Sequence, residues 1–190
     1  MRVSILDQVP LTEHTPTPAQ AIASSLRLAQ DAEALGYTRV WFAEHHRSRS
    51  FASPAPETMT ALALERTHTI RIGTGGILLP LYPASKVVET MGMLAQVHGD
   101  RVDTGVGRAA LDDPTYSDKI AALVREFGAL HEPAPGEPPG RVWVLGAGGS
   151  AAPLAGRLGA GYAHGHFFSP RGGEAAIAPP TVRARSSRIT

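Results

Sequence analysis

An acid and two imidazoles stand side by side in Glu44-His45-His46, directly behind the apolar run Val40-Trp41-Phe42-Ala43 and ahead of Arg47. An imidazole titrates near neutrality, so it can give or take a proton, and a neighbouring carboxylate can orient it. Adjacent residues of an extended segment point to opposite sides, so only one of His45 and His46 can look into a pocket while the other bonds locally. Thr74-Gly75-Gly76 sets two glycines inside the strand-like run Ile70 to Ile77, where glycine weakens pairing and marks either a bulge or the close approach of a flat ligand. Gly105-Val106-Gly107-Arg108 places a guanidinium just past another apolar run, and its planar donors can hold two phosphate oxygens at once. Gly146-Ala147-Gly148-Gly149-Ser150 lies between a strand pattern and a helix pattern, where backbone N–H groups can meet an anion. His164-Gly165-His166 sets two imidazoles on one face of a strand, yet with no cysteine and no third ligand nearby it is not read as a metal site.

With Leu78-Leu79-Pro80 behind the glycines and Gly99 to Thr104 ahead of Gly105, these segments together resemble the bacterial luciferase-like, flavin-dependent monooxygenases over roughly residues 1–170. The resemblance implies a TIM-type barrel with its site at the carboxyl ends of the strands. It assigns His45 to the flavin and substrate cavity as acid or base, with Glu44 and His46 supporting or structural. It makes Gly75-Gly76 a cis peptide on which the isoalloxazine ring rests, and it puts the FMN phosphate on Arg108, with Gly148, Gly149 and Ser150 completing the grip. Members often carry more hydroxyl side chains in that last loop, where this chain keeps only Ser150, and phosphate affinity is expected to be lower for it. His166 falls near the barrel mouth. The implied reaction is oxidation of a small organic substrate by dioxygen and reduced FMN, the latter supplied by a separate reductase, in a dimer built on the first half of the barrel.

The elements that must position these residues alternate. An apolar run at Val3 to Leu6 predicts a first strand, and Thr17-Pro18-Ala19-Gln20 is a capping box opening a helix whose stripe runs Ile22, Leu26, Ala29 and Leu28, Ala32, Leu35, closed by Gly36. Strands are expected at Thr38 to Ala43, Ile70 to Ile77, Val102 to Val106, Val142 to Leu145 and Tyr162 to Phe168. Between them come helices from Pro54 or Pro56 to Thr67 with Met59, Leu62 and Ala63 inward, from Ala84 to His98, from Tyr116 to Leu130 and from Ser150 to Leu158. Met59, Met91 and Met93 are assigned to core or subunit-interface packing, and the proline-rich stretch His131 to Gly140 to a linker. Such a βα alternation is a parallel sheet with right-handed crossovers.

A chain of 190 residues is one domain, but it is short of the roughly 250 residues a full barrel takes, so the reading is α/β with about six strands of an incomplete barrel over residues 1–170. Residues 171–190 carry four Arg against one Glu and no apolar periodicity, and Pro179-Pro180 breaks any helix there; a disordered basic tail from truncation or a frame change is expected. A net charge of +1 points to neither nucleic acid nor a membrane surface as partner. The absence of cysteine excludes disulfides and thiolate metal sites, and with no long apolar segment a cytoplasmic protein follows. Unpaired strand edges favour a homodimer or heterodimer. The alternative to an active monooxygenase is a flavin-binding or inactive truncated paralogue, without turnover or completing a heterodimer.

Overall fold

The computed structural model describes residues 3–129, 141–147 and 149–167. Strand and helix alternate: β1 (Ser4–Asp7), α1 (Pro18–Ala34), β2 (Arg39–Phe42), α2 (Pro56–Leu64), β3 (Arg71–Thr74), β4 (Ile77–Leu78), α3 (Ala84–His98), β5 (Val102–Gly107), α4 (Tyr116–Gly128), β6 (Val142–Gly146), α5 (Ala151–Leu158) and β7 (Gly161–His164). Single 3-10 turns occupy Leu79–Leu81 and Gly99–Arg101. Every pairing is parallel, in the order β1-β2-β3-β5-β6-β7, with β4 beside β5. β3 and β4 are two pieces of one barrel strand, so six strands curl into a half-barrel, the incomplete TIM-type fold that the sequence predicts.

Alternation along the strands separates two faces. Val40, Phe42, Ile72, Val106, Val142 and Val144 are each 0% exposed and form the core with the helices. Their neighbours Trp41, Gly73, Asp103, Gly105, Trp143 and Leu145 point the other way, into the barrel. There Asp103, wholly buried, accepts hydrogen bonds from Trp41 Nε1 at 3.0 Å and from Arg71, while the Arg39 guanidinium lies 4.9 Å from the Trp143 ring centroid and 5.6 Å from that of Trp41. The two indoles meet edge to face at 5.4 Å. A carboxylate can sit this deep only because it is fully hydrogen-bonded and charge-paired.

The capping box at Thr17 and Gln20 is present in both directions, and Gly36 takes a left-handed φ of +76° just past α1. Several sequence expectations need correction. Leu28 and Leu35 are exposed rather than inward, as is Leu62, because α1 and α2 each bury a narrower stripe: Ala21, Leu26, Ala29 and Ala32 on one, Met59, Ala63 and Leu64 on the other. Met59 and Met91 are core, whereas Met93 is on the surface, where of its two assignments only subunit-interface packing applies. The third strand is not continuous, since Gly75 and Gly76 interrupt it, and α2 ends at Leu64, with the Thr67 hydroxyl donating back to the Ala63 carbonyl at 2.8 Å. β7 stops at His164, so His166 lies beyond the strand. The expected linker at 131–140 and the tail at 171–190 lie outside the described residues.

At the amino-terminal end of the sheet, the Glu33 carboxylate accepts backbone N–H bonds from His68, Thr69 and Ile70 at 2.6–3.0 Å and the Thr69 hydroxyl at 3.0 Å. One side chain from the end of α1 thus holds the turn that starts β3. Among the described residues no helix is long and apolar enough to cross a membrane.

Candidate active site

Because all strands run parallel, the segments that follow β2, β3, β5 and β6 emerge at one end of the sheet. Gly75 N–H donates to the Phe42 carbonyl at 2.7 Å, which ties the glycine pair to the residue just ahead of Ala43 and Glu44. Leu78 pairs with Gly107, which brings Arg108 to the same end, and Val106 pairs with Val144, which aligns the loop after β6. Three of the non-glycine residues with positive φ, Val9, Arg47 and Ala109, follow strand ends here. Backbone in the left-handed region is uncommon for such side chains and clusters at sites where geometry is constrained.

Glu44 is the hub. Buried at 5% exposure, its Oε2 accepts the Leu78 N–H at 2.8 Å, and its Oε1 accepts the Tyr82 hydroxyl at 2.6 Å and a short bond from His46 Nε2. The carboxylate therefore joins the end of β2 to β4 and to the 3-10 turn behind it. Burial, followed by the Glu44 hydrogen bond and charge, pushes the Tyr82 phenol well above its ordinary range. His46 is exposed and engaged with Glu44.

His45 faces elsewhere. Its ring stacks on Phe51 with centroids 4.3 Å apart, its backbone N–H donates to the Ser53 carbonyl at 2.8 Å, and its Nε2 is buried with no hydrogen-bond partner. Desolvation lowers its pKa, an effect that Glu44 opposes and His46 reinforces. An imidazole kept neutral, with an unmatched buried nitrogen, is equipped to exchange a proton with a bound molecule.

The Gly75-Gly76 peptide is cis. A Cβ at Gly75 would stand 2.7 Å from Leu6 Cδ1 and 2.8 Å from Trp41 Cβ, and one at Gly76 2.9 Å from the Gly105 carbonyl, so packing alone demands glycine at both. Gly107 and Gly149 differ. A Cβ at Gly107 would meet nothing closer than 3.8 Å and one at Gly149 nothing within 4 Å, so packing does not require glycine there, whereas a ligand approaching the backbone would. Arg108 is exposed beside Gly107, and a cavity of about 190 Å³ is lined by Arg108, Ala109, Ala110, Leu111 and Asp112. Beneath, the Tyr116 hydroxyl is buried without a partner; burial pushes its pKa up to about 12, partly offset by the Arg108 charge. Ser150 is the exposed N-cap of α5 and makes no side-chain capping bond, while Gly148 lies outside the described residues. The neutral side-chain and backbone donors here, with one free-standing guanidinium, fit a flavin phosphate, and the unmatched His45 nitrogen fits a reacting group nearby.

On β7, the Tyr162 hydroxyl donates to the Gly146 carbonyl at 3.0 Å, which obliges His164 Nδ1, 2.9 Å away, to be the donor to Tyr162. Among the described residues no cluster of three or more His, Cys, Asp or Glu could hold a metal. The sequence reading missed Tyr82, Phe51, Tyr116 and Lys119: Tyr82 bonds to Glu44 and Lys119 to two carbonyls tens of residues away, Phe51 meets His45 across a ring face, and the Tyr116 hydroxyl has no partner, so none of them leaves a local pattern.

A curled parallel sheet with an imidazole, a carboxylate hub and a guanidinium at its carboxyl end is the frame of a barrel enzyme. More narrowly, the chain belongs to the luciferase-like monooxygenase family, which it matches over residues 1–116. It is 37% identical over 203 aligned residues to the uncharacterized protein YceB of Bacillus subtilis, across 93% of this chain and 61% of that one. The crystal structure of apo-MsnO8 superposes with a TM-score of 0.77 at 34% identity, covering 92% of this chain and 58% of the other. The FMN complex of the oxygenating constituent of 3,6-diketocamphane monooxygenase from Pseudomonas putida, at 16% identity and a TM-score of 0.67 over 85% of this chain and 57% of that one, shows the shared fold. The chain spans about 60% of the length of the curated relatives it matches first.

Proposed function

We propose that this chain binds FMN at the carboxyl ends of β2 to β6 and serves the oxidation of a small organic substrate by dioxygen, with the reduced flavin delivered by a separate flavin reductase. The observation that carries the reading is His45, whose Nε2 is buried and unmatched at the strand end in a chain of the luciferase-like monooxygenase family. Bound reduced FMN would supply the electrons that activate dioxygen. The chain's own groups would do the rest. Arg108 holds two phosphate oxygens, Gly148 and Gly149 offer backbone N–H groups and Ser150 a hydroxyl, and the Gly75-Gly76 backbone carries the ring. His45 exchanges a proton at Nε2, while Glu44 fixes His46, Tyr82 and the Leu78 amide around it. The cysteine-free composition suits the cytoplasm, and outer strands with one strand neighbour each among the described residues suit a homodimer or heterodimer.

A charge-assisted contact to phosphate is worth about 1.5–3 kcal/mol, so calorimetry should show FMN binding roughly ten- to a hundred-fold tighter than riboflavin, and Arg108→Ala should abolish most of that gap. Equal affinities in the unaltered protein would remove Arg108 from this role. A second reading, a flavin-binding chain without turnover, is favoured by the open half-barrel. Substrate oxidation in the presence of a reductase would exclude it.

A further inference from the structure

Lys119, on the second turn of α4, reaches back across the segment that joins β5 to its own helix. Its Nζ lies 2.8 Å from Asp113 Oδ2 and donates to the Leu79 and Pro80 carbonyls at 3.3 and 3.5 Å. The ammonium is largely shielded, at 19% exposure for the Lys119 side chain and 11% for that of Asp113. Asp113 in turn accepts the Thr115 N–H at 2.8 Å and hydroxyl at 2.6 Å, and the Lys119 and Thr115 bonds hold its carboxyl down to about 2. One ammonium, through an ion pair and two hydrogen bonds, thus joins two separate stretches of chain: the loop 108–115, which carries Arg108, and the 3-10 turn at Leu79–Leu81. The opposite side of that turn is held by Glu44 through the Leu78 amide and Tyr82. A short loop with few internal bonds, Leu111 N–H to the Arg108 carbonyl at 2.9 Å among them, otherwise has little to fix where its first residue points.

We infer that Lys119 is a positioning residue for anion binding: by clamping the 108–115 loop to the 3-10 turn behind β4, it fixes Arg108 relative to the floor of the site and so sets the preference for a phosphorylated flavin. This rests on the reading of Arg108 as the phosphate grip. Lys119 itself need not touch the ligand.

The test compares FMN and riboflavin dissociation constants for the unaltered chain, Lys119→Met and Lys119→Arg, together with hydrogen exchange of the Leu111, Thr115 and Tyr116 amides without ligand. The modest size of a partly shielded ion pair means that Lys119→Met should cut the FMN preference roughly three- to five-fold, leave riboflavin affinity unchanged and speed loop exchange by a similar factor. Lys119→Arg should restore much of both. Asp113→Asn, which removes the same pair from the other side, should reproduce the result and carries the test if Lys119→Met does not fold. A preference retained in the variants overturns the inference while leaving Arg108 in place. A preference lost with unchanged loop exchange overturns it too, since the charge would then act without positioning. If the unaltered chain shows no preference, the phosphate reading fails and the inference falls with it.

Discussion

His45 and His46 are consecutive, yet one is stacked and desolvated and the other is exposed and bonded to Glu44, so their substitution should have different consequences. His45→Ala is expected to abolish oxygen-dependent substrate turnover with little change in melting temperature, whereas His46→Ala should lower stability and retain turnover. Assays of both variants with reduced flavin and dioxygen separate the roles. Glu44→Gln places an amide where the Leu78 N–H, the Tyr82 hydroxyl and His46 all donate. Leaving a buried donor unmatched costs about 1–3 kcal/mol, to be read from denaturant unfolding. The types and order of Glu44, His45, Gly75, Gly76 and Arg108 were legible along the chain. What was not legible is the hub itself, because the bonds from Leu78 and Tyr82 to Glu44 span 34 and 38 residues and no periodicity encodes them.

At the scale of elements, the Glu33 carboxylate is a fastening between α1 and the turn into β3. Burial raises its pKa, but the bonds from Ile70, Thr69 and His68 outweigh that and bring it from 4.5 to about 2. A carboxyl depressed on folding contributes stability that is fully present above its unfolded value and is lost as protons return, so this contribution should fade between pH 4.5 and about 2. Melting temperatures recorded through that window should fall less steeply for Glu33→Gln, whose stability at neutral pH should already be reduced. The α1 capping box was readable because its signal is local, residues three apart acting on each other's backbone. The stripe of the same helix was overread: Leu28 and Leu35 are apolar and correctly spaced, yet both are exposed.

Across the whole molecule, β1 and β7 each have one strand neighbour among the described residues, and Leu6 on the inner face is 38% exposed. Unpaired edges and an uncovered inner face favour association, so size-exclusion chromatography of the 190-residue chain should show dimers or larger species. A monomer with a sharp cooperative melt would contradict this. The parallel half-barrel was legible as a class from the βα alternation, but the inner cluster of Arg39, Trp41, Arg71, Asp103 and Trp143 was not, since it gathers residues from four strands that only register brings together. That cluster contains both tryptophans of the chain, 5.4 Å apart and directly under Gly75, where Trp41 Cβ would meet an added side chain. Ultraviolet emission excited in the red edge of indole absorption therefore reports from a single place. A flavin seated over Gly75-Gly76 would darken that emission by energy transfer, and loosening of the helices alone would leave it nearly unchanged, so the unlabelled protein carries an optical gauge of its own candidate site.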